Sequence, residues 1–132
     1  MGSVKYLLDT HTLLWSIRDN SKLSNTALEI IEDTGNTLFV SAASAYEIIY
    51  KYQLGKLPEY TYLAENYFEV LHEFNVNELQ ISTRHAHFAG KLEWSHRDPF
   101  DRLLVAQAFT ESVVLITNDS AFGSLPWLNT MW

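Results

Sequence analysis

Three short apolar runs, each followed by residues with helical spacing, limit most strongly how this chain of 132 residues can fold. The runs occupy residues 4–8, 37–40 and 113–116, and each has the length and composition of a buried strand. Strands that alternate with helices form a parallel sheet with helices on both faces. The sequence therefore predicts an α/β fold, with a brief further strand at 78–81 and an edge strand after Ser124.

Helices are predicted from their caps and from the spacing of apolar residues. The predicted ranges are 24–35, 41–55, 60–74, 83–92 and 98–111. The last of these has the clearest start, because Asp98 is a favourable N-cap and Pro99 is favoured at the first helical position. No repeat or Pro/Gly-rich linker divides the chain, so we expect one domain over residues 1–132.

Composition excludes several classes of protein. Hydrophobic residues make up 47% of the chain, which is typical of a globular domain and not of a disordered one. No apolar run is long enough for a membrane span and no export signal is evident. The absence of cysteine excludes disulfides and thiolate metal sites, which suits a cytoplasmic protein. The net charge of −7 weakens any hypothesis of broad binding to nucleic acid without excluding it.

Four acidic residues occupy positions that the predicted fold would bring together. Asp9 and Asp119 follow the first and third apolar runs, Asp101 lies in the first turn of the helix after Asp98, and Glu47 lies in the second turn of its helix. Functional residues of parallel sheets gather at the carboxyl ends of the strands. A carboxylate beside a core must be paired, hydrogen-bonded or bound to a metal, and clustered carboxylates suit a hard cation such as Mg²⁺. The pattern predicts a metal-dependent phosphodiester hydrolase.

Each acid also has a purely structural interpretation. Asp98 is more simply explained as a helix cap than as a metal ligand, and Asp101 has the spacing of its partner in a capping box. Glu47 alone would be read as a solvated helix residue, and Asp119 alone could start a turn. The joint pattern of two strand ends and a helix start is what favours a site.

The segments that contain these acids resemble the ordered motifs of PIN-domain proteins, most closely the VapC-like toxin ribonucleases of type II toxin–antitoxin systems. The segments are LLDTHTLLW, SAASAYEI, HRDPFDRLLVAQA and LITNDSAF, and the resemblance covers residues 4–122. It implies a three-layer α/β/α sandwich and an endoribonuclease that depends on Mg²⁺ or Mn²⁺. It also implies a cognate antitoxin as partner and a homodimer.

The resemblance assigns roles to residues by motif position. The catalytic and metal-binding quartet would be Asp9, Glu47, Asp101 and Asp119, with Asp98 as an auxiliary acid. Thr117 matches a hydroxyl residue that helps to hold the site, and Thr12 is placed to hydrogen-bond Asp9 or to orient a ligand. The expected products of RNA hydrolysis carry a 5′-phosphate and a 3′-hydroxyl.

Other side chains are weaker candidates. His96, Arg97 and Arg102 lie around Asp98 and are predicted to meet substrate phosphate, although Arg102 could instead pair with an acid. His85 and His87 are two residues apart in a helix and do not share a face, so we do not expect a metal pair. Three aromatic residues are candidates for a dimer or antitoxin surface, because aromatic residues anchor interfaces, namely Trp15, Tyr46 and Tyr50.

Two alternatives stay open. A phosphatase like the haloacid dehalogenases would use Asp9 as a nucleophile, but its second acid two residues later is His11 here. A PIN-like module could instead bind RNA or protein without cutting, although unused clustered carboxylates would repel one another.

Overall fold

The computed structural model describes residues 4–132 and contains one five-stranded sheet. All neighbouring strands are parallel, in the order β3-β2-β1-β4-β5. The strands are β1 Lys5–Leu8, β2 Thr37–Ser41, β3 Val76–Leu79, β4 Val114–Ile116 and β5 Thr130–Met131. The α/β fold and its parallel sheet, as predicted from alternating strands and helices, are confirmed.

Seven α-helices flank the sheet in the described part of the chain. They are α1 Thr10–Arg18, α2 Asn25–Glu32, α3 Ala42–Gln53, α4 Thr61–Glu65, α5 Tyr67–Glu73, α6 Thr83–Lys91 and α7 Pro99–Thr110. Short 3-10 turns lie at Asn20–Lys22, Pro58–Tyr60 and Ser120–Ser124. Among residues 4–132, no helix is long and apolar enough to cross a membrane.

Strand β1 lies at the centre of the sheet and contributes to hydrophobic cores on both faces. Tyr6 and Leu8 point into a core shared with α1 to α5, whereas Leu7 points into a second core with α7. Neighbouring residues of a strand face opposite sides, so a strand buried on both faces must be apolar throughout. The three-layer α/β/α arrangement follows from these two cores.

Three predicted boundaries were wrong. The predicted helix over 60–74 is two helices, because the Asn66 backbone leaves the helical region and its side chain donates to the carbonyl oxygen of Tyr62. Strand β3 begins earlier than predicted, since buried Val76 pairs with Leu38 of β2. The N-cap of α6 is Ser82 rather than Thr83.

Helix α1 was not predicted, although it begins immediately after β1. The Asp9 side chain accepts a hydrogen bond from the Thr12 backbone and caps the helix. Leu13 and Leu14 then bury this helix in the first core. The acid that ends β1 therefore also starts α1, which fixes its side chain at the edge of the sheet.

The strand order determines which residues meet at the carboxyl edge of the sheet. Leu8 of β1 pairs with Ile116 of β4 on one side and with Val40 of β2 on the other. The residues that follow β1 and β4 are consequently neighbours, and the start of α3 lies beside them. This edge of the sheet carries the candidate site.

Candidate active site

A polar pocket of about 180 Å³ lies at the carboxyl edge of the sheet. The structure brings all four acids of the predicted quartet, and Asp98, into the wall of this one pocket. The lining residues are Asp9, Thr10, His11, Glu47, Lys51, Asp98, Asp101, Leu104 and Asp119. Five carboxylates thus face one small space together with one lysine.

Asp9 is the most enclosed of these acids, with 7% of its surface exposed. Its Oδ1 accepts a hydrogen bond of 2.8 Å from the Thr12 backbone N–H, and its Oδ2 accepts one of 2.5 Å from Thr117 Oγ1. A carboxylate oxygen has further lone pairs beyond one hydrogen bond, so both oxygens of Asp9 can still approach a cation. The predicted supporting positions of Thr12 and Thr117 agree with these contacts.

The Thr117 hydroxyl connects the two acids that follow β1 and β4. It donates to Asp9 and accepts a hydrogen bond of 3.0 Å from the Asp119 backbone N–H. On the other side, Thr12 Oγ1 donates to the carbonyl oxygen of Ile116 at 3.0 Å. These contacts tie the start of α1 to the end of β4 and hold Asp9 and Asp119 at one place.

Glu47 reaches the pocket from α3 and is held by two side chains. Its Oε1 lies 2.7 Å from Thr10 Oγ1, and its Oε2 accepts a hydrogen bond of 2.8 Å from Lys51 Nζ. Burial opposes ionisation of Glu47, but the hydrogen bonds and the charge of Lys51 outweigh it and lower the pKa of this carboxyl. Glu47 is therefore ionised and positioned, and not a solvated helix residue.

Asp101 has the opposite electrostatic environment. Burial raises its pKa, and the negative charges of Asp98 and Asp119 raise it further. His96 Nε2 lies 2.6 Å from Asp101 Oδ2 and offsets this effect only in part. Burial and repulsion from the two neighbouring acids therefore disfavour the ionised form of Asp101.

Asp98 caps α7, as its position before Pro99 predicted. Its Oδ1 accepts hydrogen bonds from the backbone N–H groups of Phe100 at 2.8 Å and Asp101 at 3.4 Å. The reciprocal half of the predicted capping box is absent among the described contacts, because the Asp101 side chain is bonded to His96 instead. His96, Asp98 and Asp101 each offer a ligand atom within 4.8 Å of one another, a separation that one metal ion can bridge.

Arg102 does not line the acidic pocket, and its guanidinium group contacts backbone carbonyl oxygens, so the predicted phosphate contact stays a prediction. Nε donates to Ala89 O at 3.1 Å, and Nη1 donates to Trp94 O at 3.0 Å and His96 O at 2.9 Å. Nη2 donates to Leu92 O. Four of the five guanidinium N–H groups are thereby used on backbone carbonyls. Arg102 holds the loop between α6 and α7 in place.

The loop that Arg102 holds carries the other two weak candidates. Arg97 is exposed and makes no ion pair within residues 4–132, so it is free to meet a ligand. His96 is half-buried against Asp101 and stacks near Trp94, with ring centroids 4.8 Å apart. His96 thus supports Asp101 directly, a contact that the sequence did not predict.

Sequence reasoning missed two residues that act on Glu47. Lys51 follows Glu47 by four residues, a spacing that places both on one helix face and could have identified the ion pair. Thr10 contacts both Glu47 and Ser44 Oγ, the latter at 2.9 Å, from a separate helix. Nothing in the local sequence indicates this second contact, because it depends on how α1 packs on α3.

His85 and His87 lie away from the pocket, and their side chains do not converge on one point. His85 is buried, accepts a hydrogen bond from Ser82 N–H at 3.0 Å and lies 2.9 Å from Glu111. His87 is exposed on the surface of α6. The two side chains therefore have different environments, which agrees with the prediction that they do not bind a metal ion together.

The aromatic residues proposed for an interface differ in exposure. Tyr46 is 62% exposed and Tyr50 54% exposed, and their rings stack with centroids 5.7 Å apart. Trp15 is only partly exposed, because it packs on the first core and contacts His11 and Trp132. Of these three aromatic residues, Tyr46 and Tyr50 are the more exposed.

The donor set of the pocket suits a hard divalent cation. Carboxylate oxygens are the ligands that Mg²⁺ and Mn²⁺ favour. The repulsion of Asp101 by Asp98 and Asp119 is a second indication, because a bound cation would relieve it. Among residues 4–132, His96, Asp98 and Asp101 are the group of three possible ligands whose atoms lie within 4.8 Å of one another. Asp9, Asp119 and Glu47 line the same pocket, and Lys51 holds Glu47 there.

Comparison with known proteins gives one family and a set of similar folds. The family model for the PIN domain matches residues 6–128. VapBC2 from Rickettsia felis, bound to a promoter DNA fragment, has 19% identity and a TM-score of 0.69, covering 97% of this chain and 98% of that one. DNA-bound VapBC from Salmonella typhimurium has 21% identity and a TM-score of 0.68, covering 97% of each chain.

A third similar structure extends the set. FitAcB from Neisseria gonorrhoeae has 16% identity and a TM-score of 0.66, covering 96% of each chain. By sequence, no curated protein matches. At these identities the solved structures show a shared fold over nearly the whole chain.

Proposed function

Because this chain belongs to the PIN-domain family, we propose that it is a metal-dependent endoribonuclease that hydrolyses RNA phosphodiester bonds. PIN domains are generally nucleases, and the acids that the family motifs mark here line one pocket. The observation that carries the proposal is the shared pocket of Asp9, Glu47, Asp101 and Asp119. These acids come from two helices and two strand ends, and carboxylates gathered in one pocket repel one another unless a cation is bound.

The residues of the pocket divide between metal ligands and their supports. Asp9, Asp101 and Asp119 would hold Mg²⁺ or Mn²⁺ directly, with Glu47 as a fourth acid and Asp98 as an auxiliary one. A cation bound there supplies a Lewis acid for the scissile phosphate and for the attacking water. Thr117 hydrogen-bonds both Asp9 and the backbone of Asp119 and so fixes their relative positions. His96 orients Asp101.

The protein's cations have separate tasks in this proposal. Lys51 neutralises Glu47 in the metal-free protein and lies in the pocket wall, where it can also face a substrate phosphate. Arg97 is exposed on the neighbouring loop and is the second candidate for a phosphate contact. In-line hydrolysis would leave a 5′-phosphate and a 3′-hydroxyl.

We further propose that the protein is the toxin of a toxin–antitoxin pair, with a cognate antitoxin as partner. The similar structures from Rickettsia felis and Salmonella typhimurium are VapBC complexes, which supports this role. A homodimer is proposed on the same ground of resemblance, with the exposed Tyr46 and Tyr50 as one available surface. A single domain over 1–132 and a cytoplasmic location stay predictions.

Incubation with total RNA tests the proposed activity. Wild-type protein should produce RNA fragments in Mg²⁺ and none in EDTA, whereas Asp9→Asn should be inactive in both. Glu29→Gln is a matched control, because Glu29 is exposed on α2 and makes no side-chain hydrogen bond or ion pair among the described contacts. Full activity of a folded Asp9→Asn protein would reject the site.

A catalytically inert module is the alternative, and metal titration distinguishes it. An inert module should show no cleavage and no gain in stability with Mg²⁺. The proposed nuclease should instead unfold at higher temperature as Mg²⁺ is added, since a ligand that binds only the folded state stabilises it.

A further inference from the structure

An aromatic cluster lies on the surface formed by α6, α7 and the segment before β5. The ring centroids of Phe88 and Phe109 are 5.4 Å apart in a stacked arrangement, and Trp127 lies edge-on to Phe109 at 5.0 Å. Phe109 is 49% exposed and Trp127 is 42% exposed. Exposed apolar surface of this kind marks an interaction site more often than a packing region.

Two cationic side chains and a histidine border these rings. Arg84, His87 and Lys91 follow one another along one face of α6, and with Phe88 and Phe109 they line a cavity of about 460 Å³. None of the three makes an ion pair or side-chain hydrogen bond among residues 4–132.

The charge of this cavity is opposite to that of the whole protein. Glu93 is the one carboxylate in the described lining, against the two cations Arg84 and Lys91. The complete chain carries a net charge of −7. A concave, locally positive surface with exposed rings is therefore a distinct feature of this molecule. We refer to it as the α6–α7 patch, comprising Arg84, His87, Phe88, Lys91, Phe109 and Trp127.

We propose that the α6–α7 patch binds a single-stranded segment of RNA that flanks the cleaved bond, an inference that rests on the proposed function. Proteins bind single strands by combining cations that follow the phosphates with aromatic rings on which bases stack. Arg84 and Lys91 supply the first element, and Phe109 and Trp127 supply the second. An acidic peptide would satisfy the cations, but its acidic side chains carry no aromatic ring to stack, whereas every nucleotide pairs a phosphate with an aromatic base.

The position of the patch suits a segment attached to the substrate. Helix α7 begins at the acidic pocket with Asp101 and reaches the patch at Phe109. Eight residues of α-helix span about 12 Å, so a short stretch of RNA bridges the two places. The patch adds affinity without adding charge to the pocket in which the cation binds.

The test measures binding separately from cleavage. A fluorescent, fully 2′-O-methylated single-stranded RNA is titrated with protein in EDTA, and the dissociation constant is measured by anisotropy at several salt concentrations. Phe109→Ser should weaken binding about tenfold, since stacking of one base contributes about 1–3 kcal/mol. The Arg84→Gln, Lys91→Gln double variant should weaken binding and reduce the magnitude of the salt slope by about 1.4.

Matched controls keep charge and exposed ring area comparable. Lys5→Gln with Lys56→Gln removes two exposed lysines outside the patch, and Phe68→Ser removes a ring that is 64% exposed on α5. Both controls should bind like the wild type. All variants alter exposed side chains, and thermal unfolding verifies that each is folded.

The inference is overturned if wild-type protein does not bind the RNA, or if patch and control variants bind alike. It is also overturned if patch variants change the oligomeric state in light scattering, since the patch would then be a protein interface. Its failure is distinguishable from that of the proposed function. Loss of binding only in patch variants, without any Mg²⁺-dependent cleavage, would reject the nuclease and leave the patch as an RNA-binding surface. Cleavage without a patch effect would reject the patch alone.

Discussion

The contact between Thr117 and Asp9 is the best single test of how the site is built, and Thr117→Val removes it with almost no change in shape. The wild-type hydroxyl donates at 2.5 Å to a carboxylate that is 7% exposed, and it also accepts from the Asp119 backbone. Loss of a hydrogen bond to a charged group costs about 1.5–3 kcal/mol. We therefore expect the free energy of unfolding to fall by about 2 kcal/mol.

Urea unfolding followed by circular dichroism measures this loss in the metal-free protein. In thermal unfolding, the same loss should lower the Tm of a domain of this size by roughly 6–10 °C. Thr110→Val is the matched control, because its hydroxyl donates only to the Ala106 carbonyl within α7, at 2.7 Å. That variant should change stability by less than about 0.5 kcal/mol, since such back-bonding within a helix contributes little.

A double-mutant cycle identifies the partner. With Asp9→Asn as the second change, the coupling energy should be about 1 kcal/mol or more, as expected for groups in direct contact. A loss below about 0.5 kcal/mol for Thr117→Val, or additive effects in the cycle, would refute the argument that Thr117 holds Asp9.

Three further predictions concern the other charged groups. Arg102→Lys should lower the free energy of unfolding, measured in urea, by about 2–3 kcal/mol, because a lysine cannot donate to four carbonyls. Unchanged stability with a raised KM for RNA would instead support a phosphate contact. Lys51→Met should tighten Mn²⁺ binding, measured by calorimetry, about twofold to fivefold, because the partly exposed ion pair between Lys51 and Glu47 competes with the metal. An unchanged Mn²⁺ affinity would contradict this competition. Asp101→Asn should stabilise the metal-free protein at pH 7 by about 0.5–2 kcal/mol. The folded-state pKa of Asp101 is raised, so its ionisation destabilises the fold as pH rises above the ordinary value of 3.8. Unfolding curves should show the gain vanish below that pH, and a constant gain would refute the electrostatic cause.

The sequence was sufficient to predict where the acids would meet, because strand ends have a fixed place in a parallel sheet. Asp9 follows β1 and Asp119 follows β4. These two strands are neighbours in the sheet, so the residues that follow them lie at the same edge. The PIN-domain motifs added Glu47, whose helix position by itself favours a solvated role. Helix α1 could also have been predicted, since Asp9 is a favourable N-cap and Leu13 and Ile17 have helical spacing.

Other features depend on packing that local sequence does not encode. The carbonyls that Arg102 contacts lie in α6 and in the loop that follows it, and local sequence does not indicate these contacts because every residue type has a carbonyl. Thr10 meets Glu47 only because α1 lies against α3. The contact of His96 with Asp101 likewise requires the loop conformation that Arg102 holds.

The central claim is that a cation held by the acidic pocket is required for RNA cleavage. Cleavage rate and metal binding measured in one Mn²⁺ titration test it most directly, with wild-type protein and Asp101→Asn compared on the same RNA. The wild-type rate should rise with the fraction of protein that has bound metal. Asp101→Asn, although folded and at least as stable, should lose most of the rate. Full-rate cleavage by Asp101→Asn, or by wild-type protein in EDTA, would contradict it.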